Sequence, residues 1–209
     1  MIKLEFFYDV SSPWTYLAFT GLQPLAQRYQ VPVEWRPILV GGVFNAVNQS
    51  LYELRERSFA DERRMRAYRK DLADWARYRN ITIGWPDFHP VNAVKVMRVC
   101  LVASEQGCLV DFSRRAFAAY WGSLRDLSDD EVLAELAASA GMEPGAVLRS
   151  IQESRIKDWL RANTDELIDR GGYGSPTMFI NGDDMYFGND RLPLVERTLE
   201  QLAASATDP

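Results

Sequence analysis

The sequence is poor in the residues on which many catalytic and structural frameworks depend. It has two cysteines in 209 residues, Cys100 and Cys108, too few for a disulfide scaffold and not spaced as CxxC. A reducing, cytoplasmic setting is therefore expected. There is one histidine, His89. That excludes most zinc enzymes, which draw on several imidazole or thiolate ligands, and no metal site is expected. Any Ser-His-Asp scheme would rest on this single ring. Basic residues number 24 against 29 acidic, a formal net charge of −5. Such a balance argues against a nucleic-acid surface, where excess Lys and Arg neutralise phosphates. No apolar run approaches the roughly 18 residues that read as a membrane span, so no membrane partner is expected. The amino-terminal MIKLEFFYDV alternates like a strand and does not read as a secretory leader.

What remains is ordinary globular material, 47% hydrophobic and 25% charged, long enough to bury a substantial core. Lys3 to Tyr8 reads as a buried strand ended by Asp9. Ser12 is a good N-cap and Pro13 suits a first helical turn, where its missing N–H costs nothing. The helix they open carries Leu17, Leu22 and Leu25 on its apolar stripe, and Val31 to Pro37 reads as a second strand. After Gly41-Gly42 the periodicity is helical from about Ser50 to Arg170. Within that block, Ser128 and Glu131 form an S-x-x-E capping box, and Pro144 opens a helix including Val147, Ile151, Ile156 and Leu160. Strand signals return at Thr177 to Ile180 and Met185 to Phe187, joined by the hairpin pair Asn181-Gly182. A last helix puts Leu192, Val195, Leu199 and Leu202 on one face. With the helical block removed, the order β-α-β-α-β-β-α is that of a thioredoxin fold. The expected fold is thus α/β, a thioredoxin fold (residues 1–44 and 165–209) with an all-helical domain (45–164) inserted between its halves.

Three loops of such a fold meet at one end of the sheet. Ser11-Ser12-Pro13-Trp14-Thr15 sits where thioredoxin-like oxidoreductases hold CxxC, with Ser12 and Thr15 at the cysteine positions. Without thiols it cannot exchange disulfides, but a hydroxyl at a helix N-terminus can stabilise an anion or thiolate. A plain helix cap explains Ser12 equally well. Ser175-Pro176, before a strand, occupies the position of a cis-proline. Gly188-Asn189-Asp190-Arg191 is either a common Asn/Asp cap or a carboxylate-binding helix start beside an acid, Asp190, that can pair with an ammonium.

The combination FYDVSSPWTYLA, GSPTMFI and FGNDRL resembles the 2-hydroxychromene-2-carboxylate isomerases and kappa-class glutathione transferases, DsbA-like members of the thioredoxin fold. The resemblance spans essentially the whole chain. It implies glutathione as cofactor, with Ser12 the catalytic residue, hydrogen-bonded to the glutathione sulfur. Ser175, before the cis-Pro176, would pair through its backbone with the cysteinyl part. Asn189 and Asp190 would hold the γ-glutamyl end, and Asn48, in the loop leaving the second strand, the glycyl side; Asn45 is the lesser candidate. The implied reaction converts the chromene carboxylate to trans-o-hydroxybenzylidenepyruvate, a step of aromatic catabolism, by reversible addition of the thiolate. The implied partners are a small aromatic carboxylate and a second copy of the chain. The alternatives are a kappa-like transferase and a non-catalytic glutathione-binding protein. A cation in the second-substrate pocket favours isomerase; an apolar pocket favours transferase. The basic cluster from Arg55 to Lys70 reads as a solvated helix face, with one or two of its cations as candidates to meet an anionic substrate. His89 reads as a surface or structural residue, Asn92 as a cap and Cys100 as packing.

Overall fold

The computed structural model describes residues 2–50 and 61–205. Strand β1 (Leu4–Tyr8) is buried along its whole length, because the sheet is covered on both faces. It pairs in parallel with β2 (Val33–Pro37), Phe6 opposite Trp35, and antiparallel with β3 (Thr177–Ile180), Phe6 opposite Met178. β4 (Asp184–Phe187) completes a sheet of order β2-β1-β3-β4. Alternation along β1 sends its side chains to two cores. Phe6 and Tyr8 join Phe19, Phe117 and Trp121, whereas Phe7 joins Val43, Leu167 and Phe179. Truncating such a ring to Ala costs roughly 3–5 kcal/mol. Glu5, also on the Phe7 side and fully buried, is held by Arg170 at 2.8 Å.

Helix α1 (Pro13–Arg28) makes the crossover between β1 and β2. α2 (Val40–Val47), α3 (Glu62–Arg79), α4 (Val94–Glu105), α5 (Leu109–Phe117), α6 (Asp130–Ser139), α7 (Pro144–Ser150) and α8 (Ser154–Asp169) follow before β3, and α9 (Leu192–Ser205) closes the chain. This is the thioredoxin order with helices between its halves. One core runs unbroken from Phe6 through Cys100, Phe117 and Leu133 to Ile156, so the helical block shares its interior with the sheet. The β3–β4 turn has the expected positive φ at Asn181 (51°) and Gly182 (98°), but Ile180 lies opposite Asp184, so Asp183 joins the pair in the connection.

Local details differ from the sequence expectations. The segment after β2 is not a loop. It forms α2, and Asn48 is its C-cap. The N-cap of α6 is Asp129, not Ser128: the Ser128 amide and hydroxyl are both spent on Asp126 Oδ1 at 2.8 and 2.7 Å. The helix opened by Pro144 breaks after Ser150 and restarts at Ser154. Ile151, Ile156 and Leu160 are buried on both sides of the break, which is why the apolar period reads straight through it. Of the basic cluster, Arg55 and Arg57 lie outside the described residues.

Candidate active site

The loop from β1 to α1 is shaped by a buried carboxylate. Asp9, 1% exposed, accepts the amide and hydroxyl of Ser11 on Oδ1 at 2.9 and 2.8 Å, and the amide of Val40 on Oδ2 at 2.9 Å. Burial nonetheless pushes its carboxyl above the ordinary range. Asp9 thereby ties the first loop to the N-terminus of α2. Sequence inspection missed this role, because Val40 is 31 residues away.

Ser12 Oγ accepts the Thr15 amide at 3.2 Å and so caps α1. Its own hydrogen is directed toward the Ser175 carbonyl across 3.5 Å, at the weak limit of a hydrogen bond. The donor capacity of Ser12 is therefore lightly held, beside the positive end of a 16-residue helix. The Ser175–Pro176 peptide bond is cis, as its place in the element order predicts. Ser175 Oγ accepts the Asp9 amide at 3.0 Å and shares a 2.8 Å hydrogen bond with Thr15 Oγ1. Thus the two loops are stitched together through hydroxyls, and one of them, on Thr15, stands where oxidoreductases carry sulfur. Gly174 is required beside them, since a Cβ there would lie 2.8 Å from the Phe187 ring.

The third loop divides. Gly188 takes φ = 104°, open to glycine, and a single 3₁₀ turn (Asn189–Arg191) leads into α9. Asn189 is 1% exposed, and neither atom of its amide has a hydrogen-bond partner. Asp190 is exposed and pairs with Arg191 at 2.6 Å. Asn48 is half-buried, with Nδ2 3.4 Å from the Tyr173 carbonyl.

A cavity of about 630 Å³ opens at the meeting of the first two loops. Asp9, Ser11, Ser12 and Ser175 form its polar floor. Trp14, Phe44, Tyr68, Trp85 and Phe187 give it aromatic walls, and His89, Pro90 and Asn92 stand at one side. Its volume is that of a small-molecule site. Asn48, Asn189 and Asp190 are not among its lining residues, and neither is any described Lys or Arg. The N-cap of α4 is Ala93, not Asn92; Asn92, one residue earlier, accepts the Val94 amide on Oδ1 at 3.1 Å. The His89–Pro90 bond is also cis, which nothing in the sequence announces.

The thiols lie elsewhere. Cys100 is fully buried, and burial raises its pKa to about 12. Cys108 is partly exposed, its thiol also pushed up by burial. Among the described residues, no cluster of His, Cys, Asp and Glu could hold a metal ion, and no helix is long and apolar enough to cross a membrane.

Comparison with known proteins agrees with this architecture. The chain is 25% identical over 202 residues to a 2-hydroxychromene-2-carboxylate isomerase of Sphingobium xenophagum, covering 94% of this chain and 97% of that one. It is 24% identical over 213 residues to glutathione S-transferase kappa 1 of Caenorhabditis elegans, covering 95% and 91%. A solved 2-hydroxychromene-2-carboxylate isomerase superposes with a TM-score of 0.84 over 98% of both chains at 24% identity. Residues 3–200 match the model of the DSBA-like thioredoxin domain, and this chain belongs to that family.

Proposed function

We propose that this chain is a glutathione-dependent isomerase of the 2-hydroxychromene-2-carboxylate type. The observation that carries the reading is the position of Ser12: it sits at the N-terminus of α1, 3.5 Å from the Ser175 carbonyl, on the floor of an aromatic cavity. A glutathione sulfur laid there meets a hydroxyl donor and a helix dipole, and both favour the thiolate. The thiolate adds to the substrate's conjugated alkene, the former double bond rotates as a single bond, and elimination restores the alkene as trans. No protein thiol takes part. The cis-proline strand offers the Ser175 backbone to the cysteinyl part of glutathione. Asp190, open to solvent, is placed to exchange Arg191 for the γ-glutamyl ammonium. Asn48 is assigned to the glycyl side. Asn189 would have to turn out of its enclosure to meet the γ-glutamyl end. In this scheme residues 1–44 and 165–209 hold glutathione together with Asn48, while the inserted residues 45–164 also supply Tyr68, Trp85 and His89 against the second substrate. A cytoplasmic homodimer completes the proposal.

One observation favours a second reading, a kappa-like transferase. Among the described lining residues no cation awaits a pyruvate carboxylate, which suits a neutral aromatic electrophile. A single assay separates the two. The chromene carboxylate is supplied with and without glutathione, and chlorodinitrobenzene is supplied in parallel. Isomerisation that requires glutathione supports the first reading; conjugation of the chloroarene without isomerisation supports the second. Glutathione binding with neither activity leaves a binding protein, and absence of binding removes all three.

A further inference from the structure

The short turn that delivers Ser12 to the cavity is held from two sides. The Ser12 amide donates to the Asp9 carbonyl at 3.3 Å, closing a turn with Val10 and Ser11 at its centre. The peptide planes that lead from Asp9 to Ser11 are each bonded at both ends. In the first, the Asp9 carbonyl takes that Ser12 amide, and the Val10 amide donates to Met97 Sδ at 3.4 Å. In the second, the Ser11 amide donates to Asp9 Oδ1 at 2.9 Å, and the Val10 carbonyl accepts from Trp121 Nε1 at 2.9 Å. One end of each plane is thus held from within the turn, and the other by a side chain of the inserted helices. Met97 lies in α4, and Trp121 in a π turn (Ala118–Gly122) that follows α5, a departure from α geometry often found at functional sites. Val10, Met97 and Trp121 are all fully buried, so water cannot replace either bond. Trp121 is itself fixed: its carbonyl accepts the Gly84 amide at 2.6 Å, and its ring packs 5.9 Å from that of Trp85, a wall of the cavity.

We propose that Trp121 and Met97 are positioning residues: through the peptide groups of Val10 they hold the Asp9–Ser12 turn in the orientation that aims the Ser12 hydroxyl into the cavity. What that hydroxyl does there rests on the glutathione reading above. A buried peptide group left without a partner is costly, so a Val10 carbonyl deprived of the indole N–H turns to find another donor. The peptide unit is planar, and the Ser11 amide must swing away from Asp9 Oδ1 with it. Ser12 follows, and its hydroxyl is easily redirected because it is held only across 3.5 Å to the Ser175 carbonyl. A thioether is a weak acceptor, so Met97 contributes less than Trp121. Neither residue is among those lining the cavity, and their effect on chemistry must therefore pass through Ser12.

Trp121→Phe removes the indole N–H and keeps an aromatic ring. Met97→Leu removes the sulfur at similar volume, and carries the test if Trp121→Phe does not fold. With glutathione bound, Trp121→Phe should raise the pKa of its thiol, read by ultraviolet thiolate absorbance against pH. In whichever assay above shows turnover, kcat should fall about two- to tenfold, the worth of one ordinary hydrogen bond, with KM for glutathione unchanged. Met97→Leu should act in the same direction and more weakly. Leu133→Val, which lightens the same core from α6, should lower Tm and leave the titration midpoint in place. In a Ser12→Ala background, Trp121→Phe should lower kcat no further. Losses that multiply, or a Trp121→Phe midpoint equal to that of wild type, overturn the proposal. The turn also reports without ligand: the Thr15 amide is bonded to Ser12 Oγ, and its hydrogen exchange should quicken in Trp121→Phe more than in Leu133→Val. If calorimetry shows that the wild-type chain binds no glutathione, the glutathione reading falls and Thr15 exchange decides the anchoring alone, an unchanged rate overturning it. If glutathione binds and neither its thiol nor the Thr15 amide responds to Trp121→Phe, the glutathione reading stands and the positioning role falls.

Discussion

The hydroxyls of Thr15 and Ser175 stand 2.8 Å apart, joining the start of α1 to the cis-proline turn across 160 residues of chain. In a disulfide oxidoreductase the Thr15 position holds a cysteine, and the loop must let sulfur open and close. Here a hydroxyl pair bonds the two loops instead, while Ser12 beside them keeps a hydrogen held only at 3.5 Å. That geometry suits a fixed cradle for a thiol brought by another molecule.

Glutathione should therefore bind and stabilise the folded chain. At about 100 times its Kd a ligand adds roughly 2.7 kcal/mol, or about 5–10 °C in Tm at this size. Differential scanning fluorimetry with saturating glutathione checks this, and an unmoved Tm removes the cofactor from the scheme. Asp190→Asn should shrink the shift without lowering the Tm of the free protein, since Asp190 is exposed and pairs with the equally exposed Arg191.

Ser12→Ala separates cap from catalyst. Loss of the bond to the Thr15 amide should cost about 1 kcal/mol of stability whatever else Ser12 does. If the hydroxyl also donates to the glutathione sulfur, the bound thiol's pKa rises and kcat falls about ten- to a hundred-fold, because a hydrogen bond to a charged group is worth roughly 1.5–3 kcal/mol. Ultraviolet thiolate absorbance against pH reads this directly, and equal titration midpoints in the two proteins would confine Ser12 to capping.

Neither cysteine should support redox turnover. With its pKa raised to about 12, Cys100 has almost no thiolate at neutral pH and no route to solvent, so a thiol reagent should modify it only after denaturation. Insulin reduction should be undetectable; activity abolished by Cys100→Ser would contradict its burial.

Glu5 sets an acid limit on stability. Burial raises its carboxyl, but Arg170 and Lys3 outweigh burial and hold it below the ordinary 4.5. A carboxylate depressed on folding contributes stability above that ordinary value and loses it as pH falls through the lower folded value. Glu5→Gln leaves Arg170 with Glu166 at 3.0 Å as its remaining carboxylate and should cost about 2 kcal/mol or more near neutrality. The gap between variant and wild type, followed by urea titration, should narrow as pH drops below 4.5.

Much of this molecule was already legible along the chain, and the reason is locality. Strand burial, the Asn181-Gly182 turn, the Ser12-Pro13 helix start and the α9 stripe each depend on residues a few positions apart, so period and propensity reveal them. The cis-proline followed from element order. What only the tertiary structure decided lies between distant segments. Asp9 reaching Val40, Tyr120 orienting His89 and Trp121 gripping Val10 have no signature in spacing, since each partner is chosen by how helices pack on the sheet. Ser128 lost its cap to Asp129 because a competing turn consumed its hydroxyl. Asn189, grouped with Asp190 by adjacency, proved enclosed while its neighbour is open. Successive residues of a 3₁₀ turn point about a third of a turn apart, and only packing determines which of them is enclosed.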